Sequence, residues 1–190
     1  MLIGLTGGIG SGKSAALAAL QKNGYKTISC DDITRALYNR RSTLKKLRAE
    51  FPSAITGKLF LKADKKEISR IIFSDKAKYA FLTDYLTKET FKIAMARAKK
   101  IKGTVIVEVP LLFENDLQNV FDKVIVITRE KSARIAAVKS RSNLSEEEIA
   151  ARINAQFDYD KKDLSTFTVI KNDGEVSDLA AAVLKAVKEI

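Results

Sequence analysis

The chain has 190 residues but no histidine, one cysteine and only two prolines. Without imidazole there is no side chain of that kind to act as base, metal ligand or switch near neutral pH. The single Cys30 excludes an internal disulfide and a thiolate metal cluster. No apolar run approaches the ~18 residues that a membrane-spanning helix needs. The first residues go straight into an apolar strand, with no basic leader and no small-residue cleavage site, so no secretory signal is expected. Internal repeats and low-complexity linkers are missing too. These absences predict a cytoplasmic protein of one α/β core with room for an inserted subdomain.

Charge is unbalanced, with 34 Lys and Arg against 23 Asp and Glu, net +11. Such a balance suits nucleic acid, an anionic membrane surface or a polyphosphate substrate. The cations are spread through the chain, with neither a basic tail nor the aromatic-and-basic pattern of an RNA-binding sheet. They read mostly as solvated surface, with a subset aimed at phosphates.

What is present begins at Gly7-Gly8-Ile9-Gly10-Ser11-Gly12-Lys13-Ser14, a full G-x-x-x-x-G-K-[ST] pattern. Leu2 to Thr6 precede it as a strand and Ala15 to Leu20 follow it as a helix, the context this pattern requires. Its glycines let backbone N–H groups converge on a phosphate. The helix N-terminus adds a partial positive charge at the same place. Lys13 is placed to bridge the β- and γ-phosphates and the Ser14 hydroxyl to ligate Mg²⁺. The chain therefore reads as a binder of a nucleoside triphosphate.

Further strands are expected at residues 25–30, 104–109, 123–128 and 167–170, each β-branched or followed by a breaker. Helices separate them, and no hairpin signal is visible, so the expected fold is a three-layer α/β P-loop kinase fold around a five-stranded parallel sheet. The expected helices run over 33–39, from a Ser42 cap to Glu50, and from an Asp64/Glu67 capping box to Ile72. Others are expected over 74–100, over 132–141, from a Ser145/Glu148 capping box to Phe157, and from a Ser177 cap to the end. Residues 53–63 carry no firm signal. The stretch between the second and third strands is too long for a simple crossover and implies a mostly helical, acceptor-binding insert at about 53–102. The helical pair at 132–157 reads as a small lid. Residues 1–190 form a single P-loop unit around these parts.

A phosphate loop alone leaves GTPase, ATPase motor and small-molecule kinase open. No N/T-K-x-D for guanine follows a strand, and the third strand offers only Glu108 before Pro110 where a motor carries an acidic pair. A compact core with a helical insert and an Arg-bearing helical pair suits a nucleoside-monophosphate-kinase-like enzyme. Its acceptor hydroxyl needs a carboxylate. Asp31, at the C-terminal end of the second strand where ligands of parallel sheets gather, is the candidate. The competing reading is a helix cap, which suits Asp32 better than Asp31.

Four stretches resemble the dephospho-coenzyme A kinase family. They are residues 4–14; Cys30-Asp31 before Ile33-Thr34-Arg35; Glu108-Val109-Pro110-Leu111-Leu112-Phe113-Glu114; and Arg141 with Arg152-Ile153-Asn154-Ala155-Gln156, Lys162 and Asn172-Asp173-Gly174. The resemblance implies ATP and Mg²⁺ as cofactors and transfer to the ribose 3′-hydroxyl of dephospho-coenzyme A. A monomer or weak homo-oligomer is expected, with no nucleic-acid or membrane partner. On that resemblance residues 7–14 hold the ATP phosphates, with Lys13 on the β- and γ-phosphates, Asp31 acts on the hydroxyl and Asn172 lies near adenine; Arg141 neutralises charge on the transferring group, or is a solvated cation at a helix end. Glu108 joins Ser14 toward the metal, or is a buried structural carboxylate. Pro110 and Leu111 form an apolar wall for the acceptor, or ordinary core. The family pattern also has an acid where Ser29 stands, an arginine at Lys65, His-Pro at Thr87-Lys88 and an arginine at Ala137. Lys65 and Thr87 are thus the expected, altered, acceptor contacts. Another nucleoside or nucleotide acceptor is the nearer rival reading. An ATP-switched nucleic-acid-binding protein is the more distant one.

Overall fold

The apolar runs pair as one five-stranded parallel sheet in the computed structural model, which describes residues 1–142, 144–159 and 161–190. The strands β1 (Leu2–Gly7), β2 (Lys26–Ser29), β5 (Val105–Glu108), β6 (Lys123–Thr128) and β7 (Thr168–Lys171) lie in the order β2-β5-β1-β6-β7. β3 (Ile55–Thr56) and β4 (Lys62–Ala63) form a separate antiparallel pair. In the register, Leu5 of central β1 faces Glu108 on one side and Ile125 on the other. Gly7, Glu108 and Thr128 therefore end their strands at the C-terminal edge, where parallel sheets bind ligands.

The chain folds as two compact units, Met1–Ser29 with Ala98–Ile190, and Cys30–Arg97. In the first, α1 (Lys13–Lys22) and α8 (Val176–Glu189) lie against one sheet face, with Leu17, Leu20, Leu179 and Val183 on Ile3, Leu5, Ile106, Ile125 and Ile127. α6 (Lys131–Lys139) and α7 (Glu146–Asn154) share a small core of Val138, Ile149 and Ile153, joined by Ile9 of the phosphate loop. The Ser145/Glu148 capping box forms as expected, each side chain bonding the other's backbone N–H.

The second unit comprises α2 (Cys30–Leu37), α3 (Arg41–Glu50), the β3–β4 pair, α4 (Lys65–Ser74) and most of α5 (Lys76–Ala98). Its core gathers Leu37, Leu44, Leu47, Phe51, Ile68, Leu82 and Leu86. It holds 16 Lys and Arg against 8 Asp and Glu, so most of the chain's net positive charge resides here. Phe51 is wholly buried and stands 6.4 Å from the Phe81 ring. Phe51→Ala is expected to cost about 3–5 kcal/mol, read by chemical denaturation.

Several boundaries differ from the sequence expectation. α2 begins at Cys30 rather than Ile33, because β2 stops at Ser29 and the helix starts on the next residue. Asp31 and Asp32 thus sit inside the first helical turn, next to its positive end. Asp32 does not cap it but pairs with Arg35 at 2.5 Å. Ser42 does not cap α3, whose N-cap is Arg40 without a side-chain bond. Asp64 caps α4 through the N–H groups of Lys66 and Glu67, but the box stays open, since Glu67 accepts from Arg70 instead. The last helix starts on a Glu175/Asp178 box, ahead of Ser177.

Candidate active site

The glycine-rich loop leaves β1 at the sheet's C-terminal edge and is held on three sides. Just past β7, the buried Asn172 donates its Nδ2 to the Ser11 carbonyl at 2.8 Å and its own N–H to the Thr128 carbonyl at 2.9 Å. From α6, Arg134 Nε donates to the Ile9 carbonyl at 3.0 Å. From the segment after α7, Gln156 Oε1 accepts the Ile9 N–H at 2.7 Å. Within the loop, the Ser11 N–H bonds the Gly8 carbonyl at 3.2 Å. Gly10 has φ +78°, and a Cβ there would stand 2.6 Å from the Arg134 carbonyl oxygen. Only glycine satisfies both conditions.

The pieces of an anion cradle converge here. Lys13 opens α1, and its Nζ donates to the carbonyls of Gly7 at 2.7 Å and Gly8 at 3.0 Å. α1 starts from Gly12 without a capping side chain, leaving first-turn N–H groups for a ligand. Ser11 Oγ is buried without a hydrogen-bond partner among the described residues. These features fit a polyphosphate. Ser14, the next residue in α1, is exposed. Among the described residues no three acidic, cysteine or histidine side chains gather as a metal cluster. The donor set present suits Mg²⁺, which binds through substrate phosphates plus one or two protein oxygens. Glu108, 2 % exposed at the end of β5, accepts from Ser29 Oγ at 2.8 Å.

Behind the loop, Thr6 Oγ1 donates to the Val109 carbonyl at 2.8 Å and lies 3.5 Å from the Tyr159 hydroxyl. Tyr159 joins Phe113 and Phe157 in an aromatic cluster, with centroids 6.0 and 5.2 Å away. Leu112 and Phe113 are therefore core, while Pro110 and Leu111 remain half-buried. A cleft of about 360 Å³ opens on this side, lined by Lys131, Arg134, Asn154, Gln156, Tyr159 and Lys161 among others.

Burial pushes the Tyr159 phenol up to about 12, with the Thr6 bond and the Arg134 charge pulling it down. The folded chain keeps this proton while an unfolded tyrosine, at its ordinary 10.0, loses it. The associated stability is complete below pH ~10 and is lost as pH rises to ~12. The expected result is that wild type loses about 2–3 kcal/mol more than Tyr159→Phe across that window, read from unfolding curves at successive pH values.

The structure brings Gly7, Gly8, Ile9, Gly10, Ser11, Gly12, Lys13 and Asn172 into one constellation. Arg141 lies past the end of α6, exposed, its N–H closing a turn on Val138. The α6 cation that reaches the loop is Arg134, buried at 4 % exposure. Sequence reasoning passed over it, along with Gln156 and Tyr159 as loop supports. The available signal was that Arg134 stands one turn before Ala137, where the resemblance expects arginine. In the second unit, Asp31 is exposed in the first turn of α2, two residues after β2 ends. Lys65 opens α4 with Nζ 5.1 Å from the Tyr38 ring centroid, a cation–π contact. Thr87 is half-buried within α5.

A phosphate loop on the central strand, a helical unit inserted after β2 and a helical pair after β6 define a P-loop kinase. The dephospho-CoA kinase family model matches residues 1–178. A dephospho-CoA kinase of Thermus thermophilus is 33 % identical over 189 residues, covering 98 % of this chain and 90 % of that protein. A crystal structure of a Thermus thermophilus protein superposes with TM-score 0.83 at 29 % identity, covering 100 % of this chain and 97 % of that one. The dephospho-CoA kinase from Campylobacter jejuni superposes with TM-score 0.70 at 27 % identity, covering 99 % and 96 %. The chain belongs to the dephospho-CoA kinase family. Among the described residues no helix is long and apolar enough to cross a membrane.

Proposed function

We propose that the chain transfers the terminal phosphoryl group of ATP to the ribose 3′-hydroxyl of dephospho-coenzyme A, giving coenzyme A and ADP. The observation that carries this reading is the intact phosphate loop, with Lys13 on its rim, inside a chain matched by the family over residues 1–178. Residues 7–14 cradle the phosphates through backbone N–H groups and the α1 N-terminus. Lys13 exchanges the carbonyls of Gly7 and Gly8 for β- and γ-phosphate oxygens. Asp31 accepts the hydroxyl's hydrogen bond, aligns it for in-line attack and takes its proton. Arg141 balances charge on the transferring group when the lid closes, and Asn172 borders the adenine end.

Ser14 and, through water, Glu108 would hold Mg²⁺, which supplies charge neutralisation across the β- and γ-phosphates. Lys65 and Thr87 contact the acceptor, with Pro110 and Leu111 as an apolar wall. Lys65 gives a point charge where an arginine would offer a two-pronged fork. The protein acts in the cytoplasm as a monomer or weak homo-oligomer, with no nucleic-acid or membrane partner.

The test is ADP release with Mg-ATP across a panel of dephospho-coenzyme A, nucleosides and nucleotides. Release stimulated by dephospho-coenzyme A far above every other acceptor is expected. Equal stimulation by a plain nucleoside or nucleotide would move the acceptor assignment elsewhere.

A further inference from the structure

We infer that Arg134 is a positioning residue for the phosphate loop, doing from one helical turn earlier what an arginine at position 137 would do. The inference rests on the reading of residues 7–14 as the ATP phosphate site. It starts from Ile9, the loop residue gripped at three points. Its carbonyl accepts from Arg134 Nε at 3.0 Å. Its N–H donates to Gln156 Oε1 at 2.7 Å. Its side chain packs on the core that α6 and α7 share, with Val138, Ile149 and Ile153.

The Ile9 N–H lies in the peptide unit shared with Gly8 and its C=O in the one shared with Gly10, so the two bonds hold the planar units on both sides of its Cα. Fixing Ile9 therefore fixes which way the neighbouring N–H groups point, and those groups are what a phosphate meets. The Arg134 contact extends to both flanking glycines. A Cβ on Gly8 would collide with the Arg134 guanidinium, and a Cβ on Gly10 would stand 3.0 Å from the Arg134 Cα. α6 and the loop are thus moulded to one another around this residue. Arg134 is 4 % exposed and commits its Nε donor to the Ile9 carbonyl, so its guanidinium is buried against the loop rather than solvated.

Ala137 is half-buried on the same helical face, three residues on. Long helical side chains lean back toward the helix N-terminus, over the preceding turn. An arginine at 137 would therefore reach toward the space that the Arg134 side chain fills. That relation makes a rescue experiment possible.

The test is calorimetric binding of Mg-ADP, which involves no acceptor, together with KM and kcat, in Arg134→Ala, Arg134→Lys, Gln156→Ala and the double variant Arg134→Ala/Ala137→Arg. Arg134→Ala is expected to weaken Mg-ADP binding and raise KM for ATP by about 10- to 100-fold, with KM for the acceptor changed less than about 2-fold. Lysine lacks the planar fork and should restore little. The double variant should recover most of the affinity, and Gln156→Ala should show the same pattern at smaller size. If Arg134→Ala does not fold, Gln156→Ala still decides: unchanged Mg-ADP affinity there overturns the inference. It is equally overturned by unchanged affinity in a folded Arg134→Ala, by equal loss toward both substrates, or by a double variant no better than Arg134→Ala. Failure of dephospho-coenzyme A as acceptor would leave the Mg-ADP result readable and would count only against the acceptor.

Discussion

Asp31→Asn is expected to lower kcat by about 10²- to 10⁴-fold while KM for ATP moves less than about 2-fold. Asparagine matches aspartate in shape but cannot accept the proton that leaves the attacking hydroxyl. Little else should change with it. Asp31 is exposed, and among the described residues no hydrogen bond or ion pair engages its side chain. Removing its charge from the first turn of α2 costs about 0.3–1 kcal/mol of stability at most. Asp32→Asn is the internal comparison, since Asp32 is turned to its exposed pair with Arg35. It should keep kcat within about 2-fold of wild type. A reversed pattern, with the larger loss at Asp32, would reassign the base.

Gly10→Ala is expected to abolish measurable Mg-ATP binding and to destabilise the fold by about 2–5 kcal/mol. Two effects add. The residue has φ +78°, where an L side chain is strained, and the new methyl would stand 2.6 Å from the Arg134 carbonyl oxygen. That oxygen belongs to helical backbone, so relief requires α6 or the loop to move, and the phosphate N–H groups move with the loop. Gly24→Ala separates the effects, because Gly24 has φ +83° with nothing within 4 Å of an added Cβ. It should cost about 1–2 kcal/mol and leave nucleotide binding alone. Thermal unfolding and calorimetry on the two variants read both quantities. Equal nucleotide affinity in the two would show that crowding against Arg134 does not govern the loop.

The central sheet was legible because its strands are buried runs, such as Thr104 to Val109 and Lys123 to Thr128, whose β-branched content admits few other readings. The phosphate loop was legible because one local pattern encodes both the turn and its chemistry. The β3–β4 pair was not, since two residues per strand leave no alternation to detect. The start of α2 was misread because an Asp-Asp pair after a strand looks like a cap, whereas the chain turns directly from Ser29 into helix. Ser42 and Ser177 were good capping residues in the wrong place, and a serine inside the first turn looks the same in sequence. Arg134 escaped notice for a different reason, and Gln156 stood in the resemblance without a role. On a helix an arginine reads as solvated surface. Only the tertiary approach of α6 to Ile9 turns it inward. Local physics marked the phosphate cradle, but not the long-range contacts that hold it still.

The most direct measurement is to incubate the protein with Mg-ATP and dephospho-coenzyme A and identify the product by mass and ³¹P NMR. A gain of one phosphoryl group, appearing as a new ribose 3′-monoester in step with ADP, is the result this account predicts. ADP formed with the acceptor unchanged, or a phosphoryl group at any other position, would contradict it.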